Sequence, residues 1–293
     1  MPERSAPVSH HTISVVDLSF AYPDGTRALD GVSFEVGHGE AIAVIGANGA
    51  GKSTLLMHLN GVLSPIQGSV DIGGTPVTKG TLPVIRRTVG MVFQDPDDQL
   101  FMPTVAEDVG FGPLNLGLPP EGVARRVDEA LARVAAARLK DRPPYHLSGG
   151  EKRVVAIATV LAMEPAILVM DEPTSGLDPR ARRRVMSLLG SFEHTRIIAT
   201  HDLDLAAELC ERTLVLAGGR LVADRPTGEV FDDDALLVAS GLERPLGMQA
   251  CPVCGAQKPA MSSRAPAPAH PRDRLRADVG AGLGEAVADA PEQ

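Results

Sequence analysis

Apolar positions along residues 12–241 recur in two rhythms. Short β-type runs stand at 32–36 (VSFEV), 41–45 (AIAVI), 88–93 (TVGMVF), 167–170 (ILVM) and 196–200 (RIIAT). Helical patterns lie between them, one opening at Lys52 and another at Arg180. This alternation predicts an α/β domain with a largely parallel central sheet. From about 96 to 150 the strand signal stops, and Val123, Val127, Leu131, Val134 and Leu139 fall near helical spacing. That stretch predicts a helical insertion within the core, because the strand run at 167–170 follows it. The longest clear apolar run, 154–163, has the length of a helix core and falls short of the about 18 residues needed to cross a bilayer.

Composition changes this picture at the two ends. Residues 1–11 suit a flexible arm. After Gly241 the composition shifts, and 242–293 form an extension in which 15 of the 32 residues from 262 onward are Ala, Pro or Gly. Such a segment buries too little apolar surface to offset its ordering entropy, so disorder is expected from about 262. Overall, 44% apolar and 22% charged residues are ordinary for a globular chain, but 3% aromatics and no Trp leave the packing to Val, Leu, Ile and Ala. A net charge of −9 argues against a protein that works by broad neutralisation of nucleic-acid phosphates. The first residues lack the charged start and apolar stretch of a secretory signal, and Cys210, Cys251 and Cys254 are too few and too clustered for a disulfide framework. Both features favour the cytoplasm, so any membrane role needs partner subunits. There is no internal repeat, hence one set of site motifs per chain.

Candidate chemistry begins at Gly46-Ala47-Asn48-Gly49-Ala50-Gly51-Lys52-Ser53, which fits G-x-x-x-x-G-K-[ST] between a buried-strand run and a helical pattern. The glycines let the backbone curl so that successive N–H groups and the helix start face phosphate oxygens. The expected nucleotide contacts are Gly46, Asn48, Gly49, Gly51, Lys52, Ser53 and Thr54. Lys52 supplies a charge to the β and γ phosphates and Ser53 a ligand to Mg2+. A second half follows at 167–172, four apolar residues ending in Asp171 and Glu172. Taken alone this is a strand ending in solvated acids; beside a phosphate loop, Asp171 is the anchor for Mg2+ and Glu172 the general base for an attacking water.

Leu147-Ser148-Gly149-Gly150-Glu151 narrows the field, because phosphate-loop proteins in general do not carry it. With it, residues 12–241 resemble the ABC transporter ATPases. The resemblance implies an α/β phosphate-loop NTPase core with an inserted helical subdomain and an antiparallel β subdomain, working as an ATPase with ATP and Mg2+. Tyr22 resembles the adenine-stacking aromatic, although its alternation with Phe20 equally suits a strand with one buried ring. Gln94 resembles the glutamine of the loop joining core to insertion, which reaches Mg2+ and the catalytic centre. Ser175-Gly176-Leu177-Asp178 resembles the D-loop, placing Asp178 among the nucleotide contacts, and Pro173 and Thr174 complete the acidic motif. His201 resembles the switch histidine, where an imidazole can reach the γ-phosphate and orient the water; a lone strand-end His would be read as structural. The same likeness implies head-to-tail packing, in which Ser148, Gly149 and Gly150 of one copy close on the γ-phosphate held by Lys52 of the other. Intact motifs suit a homodimer, with a heterodimer containing a paralogous ATPase as the alternative.

The stretch 92–101 and the following 103–118 are narrower still. They resemble the ATPase subunits of energy-coupling-factor importers, especially those for cobalt or nickel. That likeness implies a peripheral protein at the cytoplasmic face of the membrane. It also implies a transmembrane coupling subunit docked near 94–101 and a substrate-binding membrane subunit. Vitamin importers, exporters and soluble ABC proteins acting on nucleic acid use the same engine; the last carry two fused cassettes or a long coiled-coil insertion, and neither is seen here. Cys251-Pro252-Val253-Cys254-Gly255 resembles half a zinc knuckle. Two tails together could offer Zn2+ four thiolates, and exposed tail thiols are the plain alternative. His10 and His11 suit a flexible arm.

Overall fold

A computed structural model describes residues 12–249. The expected arm with His10 and His11, the Cys251 and Cys254 pair and the biased segment from 262 lie outside them. The described chain opens with two long antiparallel strands, β1 (Ile13–Ala21) and β2 (Arg27–Val36). It then enters the central strand β3 (Ala41–Ile45) and helix α1 (Lys52–Leu59). Strands β4 (Gln67–Ile72) and β5 (Thr75–Pro76) return to the first pair and complete a four-stranded antiparallel sheet in the order β2-β1-β4-β5. Helix α2 (Leu82–Thr88) leads into β6 (Val89–Val92).

Three helices follow, α3 (Val105–Asn115), α4 (Pro120–Arg133) and α5 (Gly149–Leu161). The chain then alternates through β7 (Ile167–Asp171), α6 (Pro179–Gly190), β8 (Thr195–Ala199), α7 (Leu203–Leu209) and β9 (Arg212–Ala217). It closes with β10 (Arg220–Pro226), α8 (Thr227–Asp232) and α9 (Asp234–Ala239). The second sheet has the order β10-β9-β3-β8-β7-β6; it is parallel except for the β9–β10 edge hairpin.

The uninterrupted apolar runs have a direct cause in this arrangement. Ile42, Val44, Ile167, Val169, Ile197 and Ala199 join a core shared with α1 and the antiparallel sheet. Their neighbours Ala43, Ile45, Leu168, Met170 and Ile198 join a second core under α5, α6 and α7. Strand side chains alternate between faces, so a sheet covered on both sides needs apolar residues at every position. Helix α5 is apolar for a similar reason: Val155, Ala158 and Ala162 pack with α3 and α4, whereas Ile157 and Leu161 pack under the sheet. No helix among the described residues is long and apolar enough to cross a membrane.

One helix ends earlier than its periodicity predicts. The spacing from Val123 to Leu139 reads as continuous, but α4 stops at Arg133 and Ala135 turns to φ 56°. The Ala136 N–H returns to the Leu131 carbonyl at 2.8 Å, a left-handed helix stop, and a separate 3-10 turn carries Leu139 into the helical core.

Candidate nucleotide site

The loop after β3 is shaped by what cannot be there. A Cβ at Gly46 would meet the Leu216 carbonyl oxygen at 2.3 Å, and one at Gly51 would meet the Ala28 oxygen at 2.4 Å. Gly51 also holds φ 103°, which L side chains rarely adopt. Leu55 N–H closes onto the Gly51 carbonyl at 2.8 Å, so Lys52, Ser53 and Thr54 occupy the turn whose N–H groups a helix start leaves open. Lys52 is buried and folded back over the loop, its Nζ donating to Gly46 O at 2.9 Å and Ala47 O at 3.1 Å. Asn48 and Gly49 are exposed at the crest. Tyr22 lies beside the helix start, its hydroxyl 3.0 Å from Thr54 Oγ1 and its ring edge-on to Phe20 at 5.1 Å. It remains 38% exposed, so the ring both packs on a strand neighbour and offers surface.

Strands β3, β8 and β7 are adjacent and parallel, which brings their carboxyl ends to one edge. That edge carries the loop, the acidic pair and His201. Asp171 is buried beside the Ser53 hydroxyl, and its Oδ1 has no hydrogen-bond partner among the described residues. Burial raises its pKa, the Ser53 bond lowers it, and the Glu172 charge raises it again. A buried carboxylate oxygen beside the loop hydroxyl suits a hard divalent cation, so Ser53 and Asp171 fit Mg2+.

Glu172 leaves β7 at φ 50°, a left-handed conformation costly for a residue with a side chain. The turn aims its buried carboxylate at the end of β8. Oε1 accepts the His201 backbone N–H at 2.9 Å and lies 2.8 Å from His201 Nδ1, while Oε2 accepts from Thr200 Oγ1 at 3.2 Å. The 2.8 Å contact holds the exposed imidazole against the buried carboxylate. Thr200 Oγ1 in turn accepts from Asp202 N at 2.9 Å, and Asp202 pairs with Arg182 at 2.7 Å.

Gln94 follows β6, which runs parallel beside β7, and its side chain is exposed two residues beyond Val92. Ser148 caps α5 through a reciprocal box. Its Oγ accepts Glu151 N at 3.4 Å, and Glu151 Oε2 accepts from Ser148 N and Oγ at 3.1 and 3.0 Å. The Ser148 backbone bond and the Arg138 ion pair at 2.8 Å lower the Glu151 pKa. Ser148 and Gly149 are exposed, and Gly150 lies against Leu177 of the D-loop. Within this chain the Asp178 carboxylate caps α6, accepting from Arg180 N at 2.8 Å and Ala181 N at 3.0 Å, and these bonds lower its pKa. Thr200, Gln99 and Arg153 contact this framework without having been singled out in the sequence. The available signals were an Arg inside an apolar helix pattern and a Thr directly before the strand-end His.

The family model described as ABC transporter matches residues 29–175. A putative ABC transporter ATP-binding protein of Geobacter sulfurreducens is 66% identical over 248 residues, covering 85% of this chain and all of that protein. The energy-coupling factor transporter ATP-binding protein EcfA of Methanocaldococcus jannaschii is 48% identical over 240 residues, 80% of this chain and 86% of that one. Among solved structures, cbiO1 of Clostridium perfringens, part of the ABC transporter complex cbiONQ, superposes with a TM-score of 0.67 at 41% identity, covering 78% of this chain and 93% of that one. The dimeric cassette MJ0796, in a post-hydrolysis state bound to ADP and Pi, gives 0.68 at 29% identity, with 73% and 98% covered. With the phosphate loop, the acidic strand tip and the Ser148 turn on one scaffold and these likenesses over most of its length, the chain belongs to the ATP-binding subunits of ABC transporters.

Proposed function

We propose that this chain is the ATPase of an energy-coupling-factor importer for cobalt or nickel ions, acting at the cytoplasmic face of the membrane as a head-to-tail dimer. The EcfA and cbiO1 likenesses support the importer class, and the solved MJ0796 dimer supports pairing. Lys52 and the open N–H groups of the loop hold the β and γ phosphates, and Tyr22 stacks on the adenine. Mg2+, when bound, supplies positive charge at the phosphate oxygens; Ser53, Asp171 and Gln94 would hold it. Glu172 accepts a proton from the attacking water. The water oxygen bonds to the γ-phosphorus as the bond to the β–γ bridging oxygen breaks, releasing ADP and phosphate. His201, oriented by Glu172, orients the water and meets the γ-phosphate. Ser148, Gly149 and Gly150 of the second copy contribute donors to the same phosphate, and Asp178 lines the contact between copies.

One surface feature supports docking of the membrane coupling subunit near 94–101. Phe101, Phe111 and Leu114 are exposed, the two rings packed edge to face at 5.0 Å. Apolar groups left in water this way mark a surface that another protein covers. The observation carrying the catalytic reading is the Glu172–His201 contact on the edge that carries Lys52. Glu172→Gln should bind ATP, lose on the order of a hundredfold or more in turnover and run as a dimer on gel filtration with ATP. Normal turnover in that variant would contradict the base assignment.

A further inference from the structure

One buried cation has no role in the account above. Arg153 of α5 is 6% exposed; its Nη1 donates to Phe93 O at 3.0 Å, and its Nε has no hydrogen-bond partner among the described residues. Burial works against its charge, while Asp95, Asp171 and Glu172 favour it. The other side of Phe93 is held as well. Gln99 Oε1 accepts the Phe93 N–H at 3.1 Å, and Gln99 Nε2 donates to Ala156 O at 2.8 Å and Thr159 Oγ1 at 2.7 Å, both on α5. Lys152 to Asp97, at 2.6 Å, adds a more exposed link between the same two segments.

Both peptide groups flanking Phe93 are thus bonded to side chains anchored on α5. That helix begins at the Ser148 turn, and Phe93 directly precedes Gln94. A buried guanidinium is a weak source of stability but a strong source of register, because its planar donors accept few geometries. We infer that Arg153 and Gln99 are positioning residues for hydrolysis, clamping the Phe93 backbone to α5 so that Gln94 and Ser148 move as one body. The inference rests on the roles of Gln94 and Ser148 proposed above. In consequence, a displacement of the Phe93–Gln94 backbone is passed to α5, and a shift of α5 displaces the turn offered to the second copy.

Steady-state ATP hydrolysis and nucleotide binding by the full-length chain test this, using Arg153→Met, Arg153→Lys, Gln99→Leu and the Arg153→Met/Gln99→Leu pair. Each apolar variant should lower kcat about tenfold with KM for ATP within about twofold, because ground-state binding is untouched while the reacting groups are misplaced. Arg153→Lys should recover part of the loss by restoring a donor to Phe93. The pair should be no slower than the slower single variant, since either break frees the same loop. Unchanged kcat, a rise in KM alone, or losses that multiply would overturn the clamp. If Arg153→Met fails to fold, Gln99→Leu decides by the same split between kcat and KM. Should the wild type turn over no faster than Glu172→Gln, the functional reading fails with it; wild-type turnover matched by the clamp variants sinks the clamp alone.

Discussion

His58 sits fully buried one turn beyond Thr54, donating Nδ1–H to the Thr54 carbonyl at 2.7 Å with its ring edge-on to Phe20 at 4.9 Å. Burial lowers its pKa from 6.5 and outweighs the carbonyl bond, which acts the other way. The sign for stability follows from linkage. As pH falls through 6.5 the unfolded chain takes up a proton that the native ring refuses, so stability is full above that value and declines below it until the native ring also titrates. Thermal midpoints of wild type and His58→Gln between neutral and mildly acidic pH should show a shallower acid decline in the variant; parallel declines would contradict this. Residue identity at the site was legible because phosphate chemistry demands fixed types at fixed spacing, as in Gly46 to Ser53 and Asp171-Glu172. Conformation was not. Nothing in the letters announces that Glu172 takes φ 50° or that Thr200 closes onto its carboxylate, since both depend on β8 lying beside β7.

The end of α4 makes the same point for an element. A left-handed stop is ordinarily announced by glycine, but Ala135 fills the position within an alanine run at 135–137, so periodicity carries the eye on to Leu139. Ala135 is exposed, and its Cβ sets a steric cost that glycine avoids. Ala135→Gly should therefore stabilise the protein by about 0.5–1 kcal/mol after glycine's extra chain entropy is allowed for, raising the calorimetric midpoint by roughly 2 °C. A lowered midpoint would show that the stop is not strained. The strands were easier, because a sheet buried on both faces leaves continuous apolar runs such as those at 41–45 and 167–170. Arg153 stayed hidden for the opposite reason: a single cation in an apolar helix looks like a solvated position until the helix is seen to be covered on two sides.

At the scale of the molecule, the proposed head-to-tail dimer divides the ATP site into a loop half and a turn half with opposite needs. The loop around Lys52 concentrates donors and a buried cation where phosphate would lie, and the Ser148 turn presents a capped, exposed helix start. The sequence names both halves, but which chain supplies each is a property of the assembly and is not encoded in any one spacing. Complementation measures it directly. Lys52→Ala destroys the loop half, Ser148→Arg the turn half, and each homodimer should be nearly inactive. In an equal mixture half the dimers are mixed, and each contains one site built from two undamaged halves, so hydrolysis should return to at most about a quarter of wild type. A mixture as inactive as its separate components would show that the ATP site is completed within one chain, contrary to the head-to-tail account.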